Sequence, residues 1–367
     1  MMALWPFGVA IALAMAAAAL WVRFWRQRLT SPVRYDAHHR LETADGCVCA
    51  LDRLRPTADA PGSADLPPVL IIHGLAINQR NCDAFEECSL ARDLRAAGRD
   101  VWLLTLRSGL HDLSLRQRGR VTFAAMAEHD VPLAVAQVRA RTGAAQVDLI
   151  GFSMGGMLLY ASLARGVDVA QVRRVVIYGS PGMVRIPLWP FSKLRLPTIF
   201  SWLAPLMPYR VLGGLLAPLV EHIVTPLHRI PYNPANVAAG CVGAVLVDAI
   251  EDVPWALHRD FARWALSDGE IRVGAARALD GLAALTTPVR FFAGAADGLA
   301  PPPSVARAYE AWGMSAGATA ALDKAMHVFG RGTGCAHDYG HGDLMFGCRA
   351  RMEVFPLAIA FLQEPGG

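Results

Sequence analysis

Val147-Asp148-Leu149-Ile150-Gly151-Phe152-Ser153-Met154-Gly155-Gly156 joins an apolar run to a serine set among glycines. The first four residues have the composition of a buried parallel strand, and residues 154–165 that of a helix. Gly151, Ser153 and Gly155 between them match G-x-S-x-G. In this pattern the serine occupies a sharp, strained strand-to-helix turn that lifts its hydroxyl above the sheet. Glycines two before and two after it let neighbouring backbone pass closely. Ser153 is therefore the candidate nucleophile for attack on a carbonyl, and an inert glycine-rich turn is the plainer alternative.

Other apolar runs of the same strand type lie at residues 69–73, 101–106, 175–178 and 289–293. Helical stretches separate them, among them residues 123–141. This alternation predicts an α/β fold with a mostly parallel central sheet flanked by helices. Thr43-Ala44-Asp45-Gly46 reads as a turn into a short strand pair around residues 47–54, and residues 56–67 as a surface loop. The rhythm breaks between 182 and 286, in a stretch dense in Pro, Leu and Trp (residues 187–190, 200–208 and 211–224). Because this stretch falls between strands whose ends carry candidate chemistry, it reads as an apolar, mainly helical cap. The expected organisation is an N-terminal membrane segment (1–28), a first core segment (40–181), the cap (182–286) and a second core segment (287–367).

Attack on a carbonyl needs two backbone N–H donors where negative charge develops. The residue after the serine, Met154, supplies one. Leu75 is the candidate for the other, since residues 69–72 lead into His73-Gly74-Leu75. His73 and Gly74 then shape the loop rather than act as acid or base. In this fold the acid follows the serine and the histidine comes last. Asp297, in the turn Gly294-Ala295-Ala296-Asp297-Gly298 after a strand, is the candidate acid. Three histidines follow it: His327, His337 and His341. The small residues of Asp338-Tyr339-Gly340-His341-Gly342-Asp343-Leu344 favour His341, with His327 as the alternative and Asp343 as a residue that holds the loop. Cys335, His337, His341 and Cys348 contain a His-x3-His spacing but no Cys-x2-Cys pair, so neither a metal nor a cofactor is expected.

The 367 residues are 54% hydrophobic and 18% charged, with net charge +4. Five arginines (23, 26, 28, 34 and 40) against Asp36 in the first 40 residues account for that excess. The body is balanced, so no basic stripe for nucleic acid is expected. Seven scattered cysteines form no disulfide framework. Residues 2–22 lack any charged side chain, and as a helix would be about 31 Å long, enough to cross a hydrocarbon core. Trp5, Trp21 and Trp25 stand near its ends, and Arg23, Arg26 and Arg28 follow it. An uncleaved anchor with the catalytic body on the cytoplasmic side is expected; export after cleavage of a signal peptide is the alternative.

Taken together, these residues resemble the acid lipases of the α/β-hydrolase fold (lysosomal and gastric lipases), and more distantly its polyhydroxyalkanoate synthase-like members. Thr43-Ala44-Asp45-Gly46 with residues 51–56 is similar to that family's first motif, and His73-Gly74-Leu75 to its oxyanion loop. Leu106-Arg107-Ser108-Gly109 is similar to its arginine turn, and Ala127-Glu128-His129-Asp130-Val131-Pro132 to the helix before the serine. Residues 294–301 are similar to its acid loop and residues 339–344 to its histidine loop, the main ground for preferring His341. The resemblance implies hydrolysis of esters in apolar, lipid-like substrates, with Ser153, Asp297 and His341 as a triad. A cap unlike that of the animal enzymes, and an anchor where those have a cleaved signal, leave the substrate open. Serine where the polyester synthases have cysteine points to hydrolysis. An acyltransferase or thioesterase with the same triad, and a non-catalytic binding protein on this scaffold, are the alternatives.

Overall fold

In the computed structural model, which describes residues 5–57, 66–185, 206–315 and 322–364, one eight-stranded sheet organises the chain. Its strands are β1 (Ala37–Glu42), β2 (Val48–Leu54), β3 (Val69–Ile72), β4 (Val101–Thr105), β5 (Val147–Phe152), β6 (Val172–Tyr178), β7 (Val289–Gly294) and β8 (Lys324–Phe329). They lie in the order β1-β2-β4-β3-β5-β6-β7-β8. β3 to β8 pair in parallel, while β1 and β2 form an antiparallel hairpin joined to β4. β3, β4 and β5 are buried along their whole length, which is why they read as continuous apolar runs.

The helices, in chain order, are α1 (Trp5–Leu29), α2 (Leu90–Ala96), α3 (Val131–Thr142), α4 (Met154–Leu163), α5 (Tyr209–Leu216), α6 (Cys241–Asp248), α7 (Trp255–Leu266), α8 (Pro302–Ala311) and α9 (Phe355–Gln363), with shorter turns between. The stretch read as one helix over 123–141 is helical throughout, but a π-helical turn at Met126–Asp130 precedes α3. That extra residue in the turn brings Asp130 inward, where it is fully buried.

Three expectations change. The hairpin's first strand precedes the turn at 43–46 instead of following it, because alternating half-exposed residues suffice on an edge strand. β8 has no apolar run in its sequence; it too is an edge strand and only Phe329 is buried. The 182–286 insertion is only partly helical, since α5, α6 and α7 alternate with turns and two small two-stranded sheets. Residues 187–190 and 200–205 of that insertion lie outside the described residues.

At the N-terminal ends of the strands, opposite the loops that carry the chemistry, Asp148 is buried and receives Arg99 at 2.5 Å and Arg173 at 2.6 Å. Removing one member of such a buried set leaves a charge uncompensated.

Candidate active site

β3 and β5 are adjacent although 74 residues of chain separate Ile72 from Val147, so the chain changes direction in the sheet between them. A crevice opens at the strand ends of such a switch point. Ser153 stands at its base, with φ 55° and ψ −120° between β5 and α4. A left-handed φ on a residue other than glycine costs about 1–3 kcal/mol and persists only where packing enforces it. The glycines supply that packing. A Cβ on Gly151 would lie 2.6 Å from the Gly156 backbone, and one on Gly155 would strike the Ile72 carbonyl. Met154 is the first residue of α4, so its N–H has no acceptor within the helix.

The loop after β3 closes over the serine. A Cβ on Gly74 would come within 2.9 Å of the Ser153 Cβ. His73 is buried beneath this loop. Its Nδ1–H donates to the Gly74 carbonyl at 2.9 Å, and its Nε2 accepts the Leu106 N–H at 3.0 Å. Burial pushes its pKa down to about 4, so the ring stays neutral and ties the β3 loop to the β4 loop. His73 therefore makes no contact of the kind a base for Ser153 would need. Leu75 follows in the loop, and Ala76 takes φ 60°.

Asp297 and His341 approach from the far side. The Ser153 hydroxyl lies 2.9 Å from His341 Nε2, and His341 Nδ1 lies 2.8 Å from Asp297 Oδ2. With Nδ1 protonated, the ring donates to the aspartate and accepts from the serine. The other Asp297 oxygen accepts the Leu299 and Ala300 N–H groups at 2.8 and 2.7 Å, which fixes the carboxylate plane. Phe152 packs on the imidazole with ring centres 4.9 Å apart. His327 sits within β8, opposite Phe292, and contacts neither Ser153 nor Asp297 by hydrogen bond. Among the described residues no three His, Cys, Asp or Glu side chains are grouped as a metal site.

This sheet, strand order and turn have counterparts elsewhere: residues 67–227, under half of the chain, match the alpha/beta hydrolase fold family. The chain has the alpha/beta hydrolase fold. A Schizosaccharomyces pombe protein named as a probable lipase is 27% identical over 156 residues, 40% of this chain. The chain spans about a third (34%) of that relative's length. Among solved structures, an esterase from Exiguobacterium antarcticum superposes with TM-score 0.57 at 14% identity, over 89% of this chain and 99% of its own. An esterase from a Rhodococcus species gives 0.54 at 17% identity, over 90% and 99%.

Asp343 was read in the sequence as a residue that holds the histidine loop, but its partners and several other contacts here were not visible there. Asp343 anchors the histidine loop to the insertion. Its Oδ1 accepts the Asn233 N–H at 3.1 Å, and its Oδ2 accepts Asn236 Nδ2 at 2.8 Å and the Gly340 N–H at 3.0 Å. Burial raises its pKa to about 6 against the pull of those donors. Gly342 N–H donates to the Pro231 carbonyl at 2.7 Å. Gly179, at φ 51°, passes beneath His341, where a Cβ would lie 3.2 Å from Nδ1. On the other wall Glu251 accepts Asn78 Nδ2 at 2.9 Å and Arg210 at 2.7 Å, while Ile77 bridges to Ile250. Besides Asp343, Asn78 and Asn233, each directly followed by a short turn, give a local hint of these roles.

Three of the motifs met in the sequence come together in one ion-pair cluster. Arg107, fully buried, holds Asp130 at 2.7 Å and Asp45 at 2.6 Å. Burial alone would lower its pKa, but the two carboxylates raise it, so the guanidinium stays charged. Asp130 is pushed up to about 6 by its own burial, with Arg107 drawing it down. The cluster joins the β1–β2 turn, the β4 loop and the start of α3 underneath the crevice.

Proposed function

We propose that this protein is a serine hydrolase that cleaves carboxylic esters of apolar, lipid-like substrates. The observation that carries this reading is the continuous chain from Ser153 Oγ through His341 to Asp297, at 2.9 and 2.8 Å. His341 takes the Ser153 proton as the oxygen attacks the ester carbonyl, and Asp297 holds the tautomer and stabilises the imidazolium. The Leu75 and Met154 N–H groups receive the oxyanion, and Gly74 gives the carbonyl room beside Ser153. His341 then protonates the leaving alcohol. In the second half it deprotonates water, which attacks the acyl-enzyme and releases the acid.

In this reading residues 182–286 form a cap over the site, and α1 anchors the protein in a membrane. The described apolar span runs from Gly8 to Leu29, its 18-residue apolar window has mean hydropathy 1.7, and Arg23, Arg26 and Arg28 at its end favour a body on the cytoplasmic side. Ser153→Ala in the full chain is the test. Hydrolysis of p-nitrophenyl esters from acetate to palmitate should fall by at least about a thousandfold at every chain length. A variant that kept the parent rate would remove Ser153 as nucleophile. A preference for acetate over the longer esters would remove the lipid-like substrate.

A further inference from the structure

The insertion carries an apolar surface that continues the apolar surface of α1. Among the described residues outside α1, more than half of the exposed large hydrophobic side chains fall within residues 211–227. Val211, Leu212 and Leu216 lie on α5, and Ile223, Val224 and Leu227 on the turns beyond it, between 46% and 62% exposed. The one acid in this stretch, Glu221, is turned away to the N-terminus of α6, where it accepts the Gly240 N–H at 2.6 Å. Soluble proteins seldom leave so continuous an apolar strip open.

The position of this strip relative to α1 is fixed by direct contacts. Trp21 Nε1–H donates to the Leu215 carbonyl at 3.3 Å, and Arg26 reaches the Arg210 carbonyl at 3.4 Å. Gly213 and Gly214 are buried in the joint: a Cβ on the first would lie 2.8 Å from the Leu246 carbonyl of α6, and on the second 2.6 Å from Val22. Just after α1, Ser31 N–H donates to Asp248 at 2.8 Å. α5 is thus clamped to the Trp21–Arg26 level of α1. Tryptophans and arginines at the end of an apolar helix mark the level of the lipid headgroups. With Arg210 beside Arg26 and Leu215 beside Trp21, α5 runs antiparallel along α1, so its open apolar face points toward the apolar part of that helix.

The same strip leads into the site. Residues 228–236 follow Leu227 directly, and Ile230 lies against Gly298 of the acid loop, where a Cβ would be 3.1 Å away. Pro231 accepts from Gly342 of the histidine loop.

We propose that residues 211–227 form a second membrane-contact surface that lies in the headgroup region beside α1, so that the crevice takes its substrate from the bilayer instead of from water. This rests on the anchor reading of α1 and on the esterase reading of Ser153. The occupant is a lipid bilayer; a second copy of the chain is the competing occupant.

The full chain in vesicles containing a photoactivatable phospholipid provides the test, with the cross-linked peptides mapped. Cross-links within residues 211–227 as well as within α1 are expected. Cross-links in α1 alone overturn the proposal and leave the anchor standing. Lipid cross-links in neither overturn both. Protein–protein cross-links between copies at 211–227, without lipid there, assign the surface to self-association and overturn the proposal. The companion measurement uses Leu216→Glu with Ile223→Glu. Hydrolysis of a long-chain ester embedded in vesicles should fall at least about tenfold, while that of a water-soluble short-chain ester stays at the parental rate. Equal loss on both substrates would speak for damage to the fold and against the proposal. Absence of Ser153-dependent hydrolysis on either substrate would strike the esterase reading and leave the cross-linking result to decide the surface.

Discussion

The two sides of the crevice are built by different means. Ser153 is held by backbone: Gly151, Gly155 and Gly156 let β5, α4 and the end of β3 approach at distances no side chain would allow. On the histidine side, side-chain hydrogen bonds are added to backbone packing: Asp297 holds the ring and Asp343 ties the loop to the Asn233 N–H and Asn236, while Gly294 backs closely onto the Tyr339 and Gly340 carbonyls. Backbone packing is all-or-none, because a Cβ cannot be accommodated by a small movement when the obstacle is another main chain. Side-chain clamps can loosen one hydrogen bond at a time. The glycines at the serine should therefore fail abruptly under substitution, and the hydrogen-bond clamps at the histidine by degrees.

Gly155→Ala is the most severe test of this contrast. Its Cβ would strike the Ile72 and His73 carbonyls, so the expected outcome is a loss of more than about 4 kcal/mol, read as loss of folded protein or a collapsed urea midpoint. A stable, folded Gly155→Ala protein would break the comparison. Arg107→Met is next. It leaves Asp130 buried and unpaired, at an expected cost of about 3–5 kcal/mol. Asp130 already titrates near 6 in the fold, above its unfolded value. A raised folded pKa contributes stability below the unfolded pKa that is lost as pH rises through the folded one. The deficit of the variant should therefore be larger at pH 8 than at pH 5, as measured by urea denaturation at both.

Asp343→Asn sharpens the other side. The amide keeps one acceptor oxygen and turns the other into a donor, so at least one of the three N–H groups that Asp343 accepts loses its partner, at a cost of about 1–3 kcal/mol. Because the change acts on the position of His341, kcat for ester hydrolysis should drop more than KM changes. Equal stability and kcat in variant and parent would remove Asp343 as the anchor of the loop. The smallest effect concerns His73. Its folded pKa of about 4 lies below the unfolded value, so its contribution is complete above the unfolded pKa and is lost as pH falls through 4. His73→Gln keeps an acceptor for Leu106 without a titrating ring. Its urea midpoint should fall less steeply than the parent's from pH 6.5 to 4.

Much of the fold was legible in local pattern. Buried parallel strands write themselves as apolar runs, and β3 to β7 are of that kind. β1 and β8 escaped because edge strands need no such run. In the same way the glycines and serine at 151–155 announce a sharp turn, since its backbone geometry restricts residue type position by position. Asp297 and His341 stand within hydrogen-bond reach of each other across 44 residues of chain, but spacing alone left His327 open beside His341. The choice between those two histidines turns on β8, a strand with no signature of its own. Likewise Asn233, Asn236 and Glu251 lie in a stretch that reads only as apolar and irregular.

The sequence by itself determined the strand-to-helix turn at Ser153, the parallel α/β order around it and the apolar N-terminal helix, because each is a rule about neighbours a few residues apart. The sequence favoured His341 over His327 and tertiary structure put it against the serine; tertiary structure alone decided that Asp45, Arg107 and Asp130 share one buried cluster, and that α5 docks on α1. These depend on how distant segments come together, and pairing energies between distant side chains leave no periodic trace in the chain.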